Sequence, residues 1–316
     1  MSNLERSPQL TISEEPPRLQ QPVLEVTSAR EVDLGEGTRV RRLLPKRQRS
    51  TIGAWCFVDH FGPEDVSAGR GMFVPPHPHI GLQTVTWLLE GEVLHRDTLG
   101  NTQLIHPDQL NLMTAGIGIA HAEESPPDHP PMMHGVQLWV ALPKRSSSIA
   151  PAFDHIPSLP IAETAGARIT VIVGELLGER SPAITYSDLM GAEIELRGGS
   201  TQLPLRADFE YGLIALSGEG TIEGVTLRVG TLLYLGLGRE TFSVNASEPS
   251  RLLLLGGEPF GEPLFMWWNF VAHSAEEIER ARTDWQEHRR FGDITGFDGA
   301  PLEAPPLPPG RLKPRG

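Results

Sequence analysis

"LQTVTWLLEGEVLHRD", residues 82–97, decides the fold class. Val85, Trp87 and Leu89 alternate with Thr84, Thr86 and Leu88, which is the two-residue period of a strand and not the 3.6-residue period of a helix. Glu90 and Gly91 supply a turn into a second strand. The pattern continues in "QLNLM" (109–113) and "GVQLWVAL" (135–142), then in "RITVIVGEL" (168–176), "YGLIALSGEGTIEGVTLRVGTLLYLG" (211–236) and "SRLLLLGGE" (250–258). Only "HSAEEIERARTDWQEHRR" (273–290) changes period. There Ser274 and Glu277 make a capping box, Ile278, Ala281 and Trp285 share a face, and a helix is expected over 275–290.

A faint repeat runs through these strands. "LLEGE" (88–92) recurs as "ALSGE" (215–219), and "PDQLNLM" (107–113) has a counterpart in "VGTLLYL" (229–235). The expected architecture is therefore all-β, with a small barrel duplicated in tandem. The first barrel is expected over 23–145, a Pro-, Ser- and Ala-rich connector over 146–167, and the second barrel with its short C-terminal helix over 168–297. Residues 1–22 read as a mobile tail and 298–316 as a Pro-rich tail.

Composition narrows the partners. With 40 acidic and 27 basic residues the chain carries a net charge of −13, which repels phosphate backbones and anionic membranes. The basic run "RVRRLLPKRQR" (39–49) is the one candidate patch, and such runs are usually solvated faces. Cys56 is the single cysteine, so neither an intrachain disulfide nor a zinc-finger framework is possible, and a small core residue is expected. The polar N-terminal stretch lacks an apolar signal region and no apolar run nears the ~20 residues of a membrane helix, so a cytoplasmic protein is expected.

Chemistry concentrates in "VPPHPHIGLQT" (74–84). On a strand His77 and His79 would point to one face, with Gln83 on the same parity. "AGIGIAHAEE" (115–124) holds a second such pair, His121 and Glu123. If its strand lies across the barrel from the first pair, four ligands converge. Three imidazoles and one carboxylate suit Fe(II), Mn(II), Ni(II), Cu(II) or Zn(II). With a divalent ion the site keeps a net charge of +1, which favours an anionic oxygen such as an enolate or phenolate. No histidine occurs between His155 and His273, and the matching regions read "PLRADFEYG" (204–212) and "TFSVNAS" (241–247), so the second unit is expected to bind no metal. His95 and Asp97 share parity and are expected either around the ligands or as a plain hairpin pair, and His134 either in the pocket or in the core. Trp267 and Trp268 are expected to pack the C-terminal segment against a barrel.

The stretches "IGAWCFVDHFGP" (52–63), "HPHIGLQTVTWLLEGEVLHRDTLGN" (77–101), "MTAGIGIAHAEES" (113–125), "HGVQLWV" (134–140) and "GEPLFMWWNFVAHS" (261–274) resemble the pirin family of the cupin superfamily. The resemblance spans about residues 25–290 and implies two tandem jelly-roll-type cupin barrels with one metal, usually iron, in the first. By match the metal ligands would be His77, His79, His121 and Glu123, with Fe(II) the expected ion. The implied activity is that of a quercetin 2,3-dioxygenase acting on a flavonol-like substrate and dioxygen, with Glu123 also the catalytic base. The alternative implied by the family is an iron-binding, redox-sensitive regulator that docks on a transcription factor or metabolic enzyme. A zinc-dependent sugar-phosphate isomerase is disfavoured, because no Lys/Arg phosphate cradle accompanies the histidine pair. Three positions depart from related sequences. Gln83 stands where other cupins often carry a Glu ligand, and is expected to position water or a ligand histidine. Asp108 occupies a turn position where many relatives carry Gly. Ile117 stands where relatives often carry Arg, and is expected near the pocket.

Overall fold

Alternation along a strand sorts side chains onto two faces, and two such faces build this molecule. The computed structural model describes residues 3–13, 21–33 and 39–308. Its first barrel pairs two sheets. One is seven-stranded, in the order Ala152–Ile156, Leu110–Thr114, Leu82–Glu90, Met132–Ala141, Trp55–Asp65, Arg39–Leu44 and Arg30–Asp33. The other is four-stranded, in the order Phe73–His79, Ile119–Glu124, Val93–Asp97 and Thr102–Ile105. The second barrel repeats the plan with a seven-stranded sheet from Ile161–Glu163 to Pro22–Ser28 and a four-stranded sheet headed by Gly199–Pro204 and Thr241–Ala246. The repeat is real in space: Gly91 (φ +93°) and Gly218 (φ +66°) turn the equivalent strands out of the two large sheets.

The two seven-stranded sheets pack face to face. Val85, Trp87, Leu89, Leu112 and Leu138 from the first meet Leu189, Ile214, Leu216, Leu253 and Leu255 from the second in one buried cluster. Polar stitches cross the seam: Trp55 Nε1 donates to the carbonyls of Met190 (3.1 Å) and Gly256 (3.2 Å), and Trp87 Nε1 to the Glu193 carboxylate (2.8 Å). The interiors differ. The second barrel is filled with aliphatic and aromatic side chains such as Ile169, Ile194, Leu213, Leu235, Phe242 and Leu254. The first buries Arg42, Asp59, Thr84, Thr86, Asn111 and Gln137 together with its histidines.

Chain ends and connector depart from the expected boundaries. Residues 3–13 are no loose tail: Thr11–Ser13 pairs with Leu264–Trp267, and Asn3 is buried. Pro22–Ser28 joins the second barrel's large sheet, not the first. The connector gives Ala152–Ile156 to the first barrel and Ile161–Glu163 to the second. The chain after the second barrel returns to the first, where Trp267, Trp268 and Phe270 pack with Ile80 and Ala120. The helix runs over Ala275–Gln286, with Ser274 Oγ accepting from the Glu277 amide (3.3 Å). It stops short of 290, and His288 (φ +53°) and Arg290 (φ +72°) lie in the left-handed region. Of the Pro-rich tail, Leu302 donates its amide to the Pro76 carbonyl (2.8 Å), so this part lies on the first barrel, and 309–316 are outside the described residues. Part of the basic run is paired within the fold: Arg42 with Asp59 and Glu5, and Arg49 with Glu25. Among the described residues no helix is long and apolar enough to cross a membrane.

Candidate metal centre

The four-stranded sheet of the first barrel brings the candidate ligands together. Pairing sets His121 opposite His77 and Ile119 opposite His79. A bulge between His121 and Glu123 then shifts the register, so that Glu123 faces Val74 on one side and His95 on the other. The expectation that the two pairs lie on opposite walls is corrected here: their strands are immediate neighbours. The bulge lets a one-sheet arrangement build two groups that share His121, one with His77 and His79 and one with His95 and Glu123. His77, His79 and His121 form one buried group with ligand atoms within 4.8 Å of one another, and His95, His121 and Glu123 form another.

Partners fix the imidazole tautomers. His77 Nδ1–H donates to the Pro75 carbonyl (2.8 Å) and His79 Nδ1–H to the Asn269 carbonyl (2.9 Å), so each Nε2 carries a lone pair. His95 Nε2–H donates to Asp97 (3.2 Å), which leaves its Nδ1 to accept from His121 Nδ1–H (3.3 Å). That turns the Nε2 lone pair of His121 toward His79 Nε2, 3.1 Å away. Two ring nitrogens aimed at each other at this separation suit a cation held between them. Burial holds His77 down to about 4 and His79 and His121 well below the ordinary histidine value, so the rings are neutral ligands at pH 7. Burial alone would raise the Asp97 carboxyl, but hydrogen bonds from His95 and Asn101 hold it below its ordinary value. The donor set therefore fits a divalent ion: three neutral imidazoles, one carboxylate, and an outer Asp97–His95 pair that orients a ligand.

The other expected residues fall elsewhere. Gln83 is buried on the opposite face, its amide donating to Thr114 Oγ1 (2.9 Å) and to the Ile184 carbonyl (3.0 Å) of the second unit. Parity failed because the chain changes sheets at Ile80–Gly81, where Gly81 has φ +66° and an added Cβ would lie 2.1 Å from the Val271 carbonyl oxygen. His134 is also distant from the ligands, its Nε2 sitting 2.9 Å from His60 Nε2. Ile117 is an exposed loop residue whose carbonyl accepts from Arg290. His95, expected either way, stands in the site. Asp108 adopts φ +62°, as its turn position requires. Cys56 is buried in the core, its thiol pushed up to about 12 by burial.

Sequence reading missed Asn269, which holds His79 from a strand turn some 190 residues away. It also missed Trp139, whose indole meets the His79 ring edge-on at 5.2 Å and stacks on Phe57 at 4.0 Å. Neither has a local signal, because both arrive through long-range pairing. In the second barrel the counterparts of the ligand strands present Thr201, Leu203, Phe242 and Val244 inward. The first counterpart is thus Gly199–Pro204 and not the 204–212 stretch expected from the sequence.

Comparison with known proteins agrees with this architecture. The family model described as Pirin matches residues 37–140, and that described as Pirin C-terminal cupin domain matches residues 192–292. A Pseudomonas aeruginosa protein provisionally named quercetin 2,3-dioxygenase is 49% identical over 310 residues, covering 98% of each chain. A pirin-like protein of Caulobacter vibrioides is 40% identical, covering 88% of this chain and 98% of its own. The crystal structure of a quercetin 2,3-dioxygenase from Acinetobacter baumannii superimposes with a TM-score of 0.88 at 44% identity, covering 91% of this chain and 96% of that one.

Proposed function

The chain belongs to the pirin family, with two cupin barrels, and from that premise we propose that it is a dioxygenase opening the ring of a flavonol or related enol at one Fe(II) ion. The observation that carries this reading is the convergence of three neutral imidazoles, each with its Nδ1–H already engaged, beside Glu123. His77, His79, His121 and Glu123 would hold the metal. When bound, it would supply Lewis-acid and one-electron chemistry toward dioxygen and an enolate. Glu123 would accept the proton of the substrate hydroxyl, since it is the carboxylate that groups with His121 and His95. Asp97 and His95 would hold His121 in the ligating tautomer. The aromatic wall of Phe57 and Trp139 would orient a planar substrate and keep water from the centre.

Anaerobic reconstitution with Fe(II), then addition of quercetin and oxygen, tests the proposal. Bleaching of the flavonol with stoichiometric oxygen uptake is expected. No turnover with any divalent metal, together with metal-dependent capture of a protein partner, would replace it by the regulatory reading.

A further inference from the structure

The described N-terminal residues lie on the barrel that holds the candidate centre. Leu10 and Ile12 pack with Trp267 and Phe270, and Leu4 packs against the cluster of Val74, Met72 and Phe61 that lines the same barrel. Asn3 donates its amide to Asn269 Oδ1 (2.9 Å), and the carbonyl of Asn269 is what holds His79. Buried Arg42 ties the segment down, reaching Asn3 Oδ1 (3.1 Å) and Glu5 (2.6 Å) while its other side clasps Asp59. A cleft of about 210 Å³ remains, lined by Asn3, Glu5, Arg42, Phe57, Trp139 and Trp267. That is below the ~300 Å³ at which pockets for drug-sized ligands begin.

The closed arrangement is also costly. The indole N–H groups of Trp139 and Trp267 and the side-chain amide nitrogen of Asn269 are buried without an acceptor among the described residues. Each such group gains a partner when the segment gives way to water or to an oxygen-rich ligand. Only three residue pairs join Thr11–Ser13 to its partner strand.

We propose that Asn3, Leu4 and Glu5 are specificity-determining residues. Seated, they leave a passage for dioxygen and other small ligands but exclude planar fused-ring molecules, which reach the centre only when these residues are displaced. The biological sense of this sieve rests on the dioxygenase reading, but its test does not.

The test compares the metal-loaded protein with the N3G/L4G/E5G variant and with the single variant L4E, which places a charge in an apolar cluster. Metal loss is followed with 1,10-phenanthroline, planar and three rings wide, and with the small chelator acetohydroxamate. Extraction by phenanthroline is expected to accelerate at least tenfold in both variants, with less than a twofold change for acetohydroxamate. Equal acceleration with both chelators, or none with either, overturns the proposal. Thermal melting of each variant separates opening of the mouth from loss of the fold, and unchanged selectivity in a folded variant counts against the sieve. Faster phenanthroline extraction without quercetin turnover would uphold the sieve and remove the dioxygenase reading.

Discussion

His79 and His121 face each other nitrogen to nitrogen at 3.1 Å, each with its other ring nitrogen committed as a donor. Neither ring can relieve the opposition by protonation at neutral pH, because burial holds both well below the ordinary histidine value. A shared cation relieves it. Divalent metal is therefore expected to stabilise the fold, by about 2.7 kcal/mol at a free concentration 100-fold above Kd. His121→Ala should lose both stoichiometric binding and the melting shift. An undiminished shift in that variant would locate the metal elsewhere.

His95 orients His121 without being needed as a ligand of the first group. His95→Ala is expected to weaken metal affinity roughly 10–100-fold, the usual effect of removing such a partner. Asp97→Asn should cost less, since the amide oxygen still accepts from His95 Nε2. Competition titration against a chelator measures both, and unchanged affinity in His95→Ala would refute the orienting role.

Gln83 gives the opposite expectation. Gln83→Glu removes two donated hydrogen bonds and sets a carboxylate against the Ile184 carbonyl at the buried seam. The variant should lose about 2–5 kcal/mol of stability, as for other buried groups stripped of partners. Its metal stoichiometry should stay that of the parent. Altered metal binding in a protein of unchanged melting temperature would return Gln83 to the site.

The His60–His134 pair makes stability pH-dependent. Burial, aided by Arg41 near both and by Arg251 near His134, pushes His134 down to about 4 and His60 to about 2. The unfolded chain takes up these protons near pH 6.5 and the folded chain does not. Stability from this pair is thus fully present above pH 6.5 and falls as the pH drops, to about 4 for His134. Metal-free His134→Gln should show a slope of stability against pH shallower by up to ~1.4 kcal/mol per unit between these limits. Identical slopes would show that His134 does not titrate on unfolding.

Much of the candidate site was legible because its proposed ligands sit at i and i+2 in two stretches, which singles out His77, His79, His121 and Glu123 in one pass. The duplication was equally readable, since equivalent strands repeat their turns at Gly91 and Gly218.

What the chain alone determined is therefore local: strand period, turn positions and ligand spacing. Tertiary structure decided which sheet each strand joined. That choice put Gln83 on the seam and His95 beside Glu123, and it brought Asn269 to His79 and Asn3 to Asn269. Alternation carries a side chain's direction only as far as the strand continues in one sheet. At Gly81 the chain leaves one sheet for another, and beyond such a break direction is set by long-range pairing and by the burial of whole faces.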